Sequence, residues 1–94
     1  MDTATSYRYI VRTEGVRGGA ARIEGTRIGV HDVAAYFLLG RDVDGIQAAF
    51  PDLSRAQIFE CLAYYEDHRA EIEKLALPQI EQGEKGIFSP STTL

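Results

Sequence analysis

The chain has 94 residues, of which 45% are apolar and 26% are charged, and its formal net charge is −4. This length and composition predict one globular domain and exclude a second. No apolar run approaches the roughly 20 residues that span a bilayer, and a single cysteine, Cys61, excludes an internal disulfide, so we expect a cytoplasmic protein.

The charge is distributed unevenly along the chain. Residues 1–41 contain six arginines and four acids, a net charge of +2, whereas residues 42–94 contain four bases and ten acids, a net charge of −6. Arginine is suited to bidentate contact with carboxylate or phosphate. The first part of the chain therefore favours an anionic partner, although the overall charge argues against nucleic acid.

The N-terminal segment predicts little regular structure before residue 7. Residues 1–6 are expected to be disordered. Residues 7–12 alternate, with Tyr7, Tyr9 and Val11 on one face, which predicts a short, half-exposed strand. Residues 13–19 are expected to form a loop.

Residues 18–30 predict a turn-rich β-ribbon. Glu24-Gly25 is a plausible tight turn between two apolar β-formers, Ile23 and Ile28. Two registers remain open. A turn over Glu24-Gly25 would oppose Arg22 and Arg27, a repulsion that a bound anion would relieve; a longer turn would pair the isoleucines and leave both arginines in solvent.

Helical periodicity begins at Val30. Apolar residues recur at helical spacing up to Leu38, and Gly40 is expected to end this helix. Asp42 is a natural N-cap for a second, short helix. Its predicted inner face consists of Val43, Ile46 and Phe50.

A third helix is predicted to start after a short turn. Ser54 and Gln57 have the spacing of a capping box, and the short turn before them is typical of a helix-turn-helix. Phe59 and Ala63 widen its apolar stripe, so we expect its first half to be buried on two sides. If unbroken to Leu77, the helix is about 35 Å long and its second half projects.

The projecting half predicts self-association or partner binding. Its apolar stripe is flanked by charged residues, which is typical of a dimer contact. Pro78 is expected to stop the helix, and residues 78–94 to form a flexible tail. The predicted dimer or partner interface consists of Tyr65, Ile72, Leu75, Ile80, Ile87 and Phe88.

The sequence contains no recognisable catalytic or metal-binding constellation. Cys61 lies on the most apolar stripe of the third helix, which indicates a buried structural thiol. His31 and His68 are 37 positions apart without further ligand spacing, so we expect both on solvated faces. We therefore predict a protein that is not an enzyme and has no metal or cofactor.

The segments Gly-Gly-Ala-Ala-Arg-Ile-Glu-Gly-Thr-Arg-Ile-Gly-Val (18–30) and Phe-Pro-Asp-Leu-Ser (50–54) resemble domain-of-unknown-function family 433, over roughly residues 7 to 66. The resemblance implies a helix-turn-helix-like core and an antitoxin-like protein, whose partner is a toxin with a PIN-like nuclease fold. It also implies repression of the protein's own operon. Family members often have proline at the positions of Ala21 and Gly29, so the loop here is expected to be less rigid.

The combined prediction is an α+β, mostly α domain over residues 7–77. A strand and a short β-ribbon precede a three-helix core with a long third helix. The predicted function is sequestration of the nuclease by a homodimer; the alternative is a stand-alone, dimeric DNA-binding regulator that reads an operator. The predicted contacts to DNA or to partner anions are Arg17, Arg22, Arg27, Arg55 and Gln57.

Overall fold

Four helices pack behind a small antiparallel sheet. The computed structural model describes residues 2–4 and 6–84. The strands are β1 (Asp2–Ala4), β2 (Ile10–Thr13) and β3 (Arg22–Ile23), and the helices are α1 (Val30–Leu38), α2 (Val43–Ala49), α3 (Arg55–Asp67) and α4 (Arg69–Glu84). The α+β, mostly α class is thus confirmed.

The sheet begins earlier in the chain than predicted. Its order is β1-β2-β3, and both strand pairs are antiparallel. Thr3 lies opposite Arg12, and Ile10 lies opposite Ile23. The expectation of a disordered segment at residues 1–6 is wrong for residues 2–4, because the free edge of β2 offers their backbone a hydrogen-bonding partner.

The predicted strand at 7–12 starts only at Ile10. Before it, the carboxylate of Glu60 on α3 accepts hydrogen bonds from the backbone N–H groups of Arg8 (3.0 Å) and Tyr9 (2.5 Å). These N–H groups are satisfied by a side chain and not by a strand. Ile10 and Val11 are both buried, so the predicted alternation does not hold.

The ribbon turns at the predicted residues but in the alternative register. Thr26 N–H donates to Ile23 O at 3.1 Å across Glu24-Gly25, and Gly25 has φ +83°, a conformation that glycine adopts easily. The next bond joins Ile23 N–H to Ile28 O at 2.9 Å. The isoleucines therefore pair, and Arg22 and Arg27 do not face each other.

The two helices of the predicted helix-turn-helix are capped as expected. The Asp42 carboxylate accepts a hydrogen bond from Gly45 N–H, and Ser54 forms a reciprocal capping box with Gln57. These caps satisfy N–H groups that the helices themselves leave free. Phe50 to Ser54 separate the two helices, so the turn is short.

The predicted long third helix is broken at His68. This residue has φ −135° and ψ 47°, outside the helical region, and its N–H caps α3 by donating to Tyr64 O and Tyr65 O. Its ring stacks on Tyr64 with centroids 4.2 Å apart. After the break, α4 packs mainly on α1, so the second half of the predicted helix does not project.

Pro78 does not stop the helix. It lies inside α4, which continues to Glu84, so residues 78–84 of the predicted flexible tail are helical. Proline removes one backbone hydrogen bond of the helix, but α4 packs on α1 both before and after Pro78, and this packing offsets the loss. Ala76 is fully buried before Pro78, and Gln79 donates to Asp32 on α1 after it.

The core joins the sheet to all four helices. Its fully buried side chains include Ile10 and Ile23 from the sheet and, from the helices, Val33, Ile46, Ile58, Cys61 and Ile72. Burying an aliphatic side chain of this size stabilises the fold by about 1.5–3 kcal/mol. This core fixes α1, α3 and α4 relative to one another.

Candidate functional site

The five predicted anion-binding residues do not converge on one surface. Arg22 is buried, with 7% of its surface exposed, and its guanidinium donates to Thr26 O at 2.8 Å and to the Thr13 hydroxyl at 2.5 Å. The prediction that Arg22 presents its charge to a partner is therefore wrong: the side chain ties the ribbon turn to β2. Arg27 is exposed, and its carbonyl accepts a hydrogen bond from Arg17.

Arg17 forms the centre of a cluster with the first turn of α1. Its guanidinium donates to Asp32 Oδ2 at 2.8 Å and to Arg27 O at 2.6 Å, and lies 3.1 Å from His31 Nε2. Its backbone has φ +51°, in the left-handed region that side chains disfavour. The contacts of the guanidinium hold the backbone in this conformation.

Asp32 is the carboxylate that Arg17 neutralises. It also accepts hydrogen bonds from Gly29 N–H at 2.8 Å and from the Gln79 amide at 3.1 Å. Burial alone would raise the pKa of the Asp32 carboxyl, but these three donors lower it below its usual range. Asp32 therefore stays ionised and joins the loop, α1 and α4.

His31 is buried, with 7% of its surface exposed, so the expectation of a solvated face is wrong. Burial lowers the pKa of the imidazole; Asp32 opposes this effect, and Arg17 adds to it. His31 is thus held neutral near pH 7. A Cβ added at Gly29 would lie only 2.5 Å from His31 Cε1, so this ring needs a glycine beside it.

A groove lies between the left-handed turn at residues 17–19 and α4. It has a volume of about 570 Å³, and we call it the cationic groove. Three of its lining side chains are bases and one is an acid. The lining consists of Arg12, Arg17, Gly18, Gly19, Ala20, Glu71, Lys74 and Leu75.

Arg12 forms one wall of the cationic groove through an ion pair with Glu71. The two side chains are 2.5 Å apart and about one third exposed. The same guanidinium nitrogen donates to the Tyr64 hydroxyl. Burial lowers the pKa of Arg12, but the hydrogen bond to Glu71 leads the effects that leave it raised overall. The charge of Arg12 is therefore permanent and largely neutralised.

The outer face of α3 is apolar. Ala56, Phe59 and Ala63 are exposed at helical spacing, and 52% of the Phe59 surface is accessible. The expectation that Phe59 and Ala63 are buried is wrong, because α1 and α2 cover only the other side of α3. Arg55 lies over the Phe59 ring, 5.8 Å from its centroid, and pairs with Asp44 on α2.

Gln57, near the start of α3, also has a partner inside the protein. Its side chain accepts a hydrogen bond from Ser54 N–H at 2.8 Å, within the capping box. With Arg55 paired to Asp44, the two predicted DNA-reading side chains of α3 both have partners inside the protein. The exposed apolar residues of this helix, Ala56, Phe59 and Ala63, have no such role within the capping box.

Two of the four described residues of the predicted dimer or partner interface are part of the core. Tyr65 and Ile72 are buried, with 1% and 0% of their surfaces exposed, because the break at His68 lets α4 pack on α1. Leu75 is 38% exposed and Ile80 is half-buried. Ile87 and Phe88 lie outside the described residues.

Cys61 is buried as predicted. Burial and the nearby acids Glu60 and Asp32 raise the pKa of its thiol to about 12, which suppresses the reactive thiolate. Over residues 2–4 and 6–84, no group of three or more metal-ligating side chains is close enough to hold an ion. In the same part of the chain, no helix has the length and apolar character needed to cross a membrane.

The sequence reasoning missed Asp32, Gln79 and Lys74 as partners or lining residues. The position of Asp32 in the first turn of α1 is explained by the helix dipole alone, so it predicts no further contact. The capping-box spacing to Gly29 was a local signal for its role, but the contacts to Arg17 and Gln79 join residues 15 and 47 positions away. Nothing in the local pattern indicated those contacts.

A family model described as a protein of unknown function (DUF433) matches residues 10–65. The chain is also similar to the crystal structure of a DUF433 member protein from Anabaena variabilis ATCC 29413. The sequences are 33% identical, the TM-score is 0.68, and the match covers 73% of this chain and 68% of that one. No curated protein matches significantly.

Proposed function

The chain belongs to the DUF433 family, and from that premise we propose that it is a non-catalytic, antitoxin-like protein that sequesters a PIN-like nuclease. The surface that makes the contact is the outer face of α3. One observation carries the proposal: the position where a DNA-reading helix would present polar side chains instead presents the half-exposed ring of Phe59.

The geometry of this face suits a protein partner. Phe59 stands between Ala56 and Ala63, whose small side chains let another helix or strand approach closely. Burying an aromatic ring that is now half exposed supplies part of the roughly 1.5–3 kcal/mol available from full burial. Aromatic residues at the centre of an interface often dominate its binding energy.

The charge around this face also favours a nuclease as partner. Exposed acids lie at the end of α3, where Glu66 pairs with Arg69 and Asp67 accepts a hydrogen bond from the Tyr7 hydroxyl. On α2, the exposed Asp44 pairs with Arg55. An RNA-cleaving protein must attract phosphates with basic residues. Acidic side chains around an apolar centre are complementary to such a surface and can block access of RNA.

The alternative function, operator binding, is favoured by the capped α2-turn-α3 frame. Against it, three of the predicted DNA contacts are not available to DNA. Arg55 pairs with Asp44, Gln57 caps α3, and Arg22 is buried. Specific DNA binding normally neutralises several phosphates. Of the predicted cations, only Arg27 is exposed and has no side-chain partner in the described part of the chain, so we rank DNA binding second.

The test is co-expression with a PIN-like nuclease encoded in the neighbouring reading frame. We expect the two proteins to co-purify, the nuclease to be inhibited, and the Phe59→Ser variant to lose both properties while melting like the wild type. Leu77→Ser is the matched control, because Leu77 is also exposed to 51% but lies on α4. Loss of the complex in Leu77→Ser with retention in Phe59→Ser would overturn the assignment to α3.

DNA binding is measured separately with the same variants. Fluorescence anisotropy of labelled DNA from the region upstream of the gene is recorded at two salt concentrations. Our proposal predicts weak binding that does not depend on sequence. Tight, sequence-specific binding that survives Phe59→Ser and is lost in Arg55→Ala would replace the proposal with the alternative.

A further inference from the structure

We propose that the cationic groove is a second binding site, which accepts a glutamate or aspartate side chain of a partner protein together with a neighbouring apolar residue. This inference rests on the proposed function for the statement that the partner is a protein. It adds a site, a ligand chemistry and a key residue, Lys74, to the contact through α3.

The charges of the groove leave one cation available. Arg12 pairs with Glu71, and Arg17 pairs with Asp32. Lys74 lines the same groove, its side chain is exposed, and no carboxylate in the described part of the chain pairs with it. The groove and its ion-paired neighbours therefore carry a net charge of about +1 in a chain whose total is −4.

This charge selects the class of anion. A carboxylate carries one negative charge and matches the single free ammonium group. A phosphate monoester carries about −1.5 to −2 near pH 7 and would leave charge uncompensated beside Glu71. The groove is thus better suited to a carboxylate than to a phosphate group.

The walls of the groove indicate what accompanies the carboxylate. Gly18 and Gly19 have φ +68° and +81°, and a Cβ added at either would meet no atom within 4 Å. The turn therefore presents bare backbone to the open space. Leu75, 38% exposed, and Ala20 provide apolar surface in the same lining. An acidic residue next to an aliphatic one satisfies both the ammonium group and this surface.

The shape of the groove is set before any ligand arrives. Arg17 holds the left-handed turn in place through Asp32, and Arg12 reaches Gly19 O at 3.5 Å from the sheet side. Glu71, Lys74 and Leu75 lie on α4, which is fixed against α1 by Ile72 and Ala76. The volume of about 570 Å³ lies within the 300–1,000 Å³ usual for ligand sites. A preformed site loses little conformational entropy on binding.

The experiment is an NMR titration of the isotope-labelled full chain with three probes. The probes are acetyl-Leu-Glu-Leu-amide, its glutamine analogue, and inorganic phosphate. We expect the glutamate peptide, at about 10 mM, to shift the amide signals of Gly18, Gly19 and Leu75, and the glutamine peptide to bind about fivefold more weakly. Lys74→Gln should abolish this preference, and Lys74→Arg should retain it.

The outcomes separate this site from the α3 contact. Phe59→Ser should leave the peptide shifts unchanged even where it abolishes the complex with the nuclease. Equal binding of the two peptides, shifts that map away from residues 17–20, or stronger binding of phosphate would each overturn the proposal. None of these results depends on whether the partner is a nuclease.

Discussion

Gly29 lies at the N-cap of α1, and its exchange for alanine tests the packing of His31. The backbone at Gly29 has φ −80° and ψ 154°, which alanine adopts without strain. The obstacle is steric, because the new Cβ would lie 2.5 Å from His31 Cε1 and 2.7 Å from His31 Nδ1. The ring would have to move by about 1 Å to restore ordinary contact, which breaks its 3.1 Å contact with Arg17.

The magnitude follows from two opposing effects. Overpacking a buried site costs about 1–3 kcal/mol. Alanine also reduces the conformational entropy of the unfolded chain relative to glycine, which stabilises the folded state by about 0.4–1 kcal/mol. We therefore expect Gly29→Ala to lower the free energy of unfolding by about 1–2 kcal/mol, and the melting temperature by roughly 5–15 °C.

The assay is a double-mutant cycle: the wild type, Gly29→Ala, His31→Ala and the double variant are each unfolded in urea. Far-UV circular dichroism monitors the unfolding. In the His31→Ala background the ring is absent, so Gly29→Ala should cost less than about 0.5 kcal/mol. The same clash explains why proline, which also carries a Cβ, does not suit position 29 in this chain. An equal cost in both backgrounds would refute the steric reasoning.

Three further predictions concern burial and charge. Ile72→Glu places an unpaired charge in the core and should unfold the domain, whereas Leu75→Glu on the exposed side of α4 should shift stability by less than about 0.5 kcal/mol; thermal melts compare them. Cys61 should resist iodoacetamide at pH 8 until urea unfolds the chain, because a pKa of about 12 leaves about 10⁻⁴ of the thiol ionised; rapid native labelling would contradict this. The pKa of His31 is lower in the folded chain than its ordinary 6.5, so the unfolded chain binds the proton first. Stability should therefore fall as pH drops below about 6.5, and His31→Gln should remove this slope; an unchanged slope in urea titrations would refute it.

The parts of the fold that depend on local hydrogen bonds were predictable from the sequence. The caps at Asp42 and Ser54 each bond to an N–H three residues ahead, and the turn over Glu24-Gly25 closes within four residues. Apolar periodicity also located α1 and α2 to within a residue. Such signals lie wholly inside the segment that they describe.

Several of the wrong predictions depend on tertiary contacts that the local sequence pattern does not contain. Helical periodicity continues across residues 54–77, and the break at His68 is accompanied by ring contacts with Tyr64 and with Tyr7, 61 positions away. Pro78 is tolerated because α1 supports α4 on both sides of it. Arg22 is buried because Thr13 and the ribbon turn supply acceptors for its guanidinium. The spacing of apolar residues along the chain does not predict such partners.

Two arginines of the first part of the chain have carboxylate partners inside the protein. Arginines in the first part of the chain do contact carboxylates, but Arg12 and Arg17 find them within the protein, at Glu71 and Asp32. The second half of the predicted third helix, where we expect an apolar contact surface, packs on α1 because the helix breaks at His68. The large exposed apolar side chain of α3 is Phe59, on its first half.

The central claim, that α3 binds a nuclease partner through its outer face, is tested most directly by site-specific cross-linking. The photoreactive residue benzoylphenylalanine is placed at position 59 and, in a second variant, at position 77, since both positions are about half exposed. After irradiation of the complex with the neighbouring PIN-like nuclease, we predict a cross-link from position 59 and none from position 77. A complex that cross-links from position 77 alone would contradict the account.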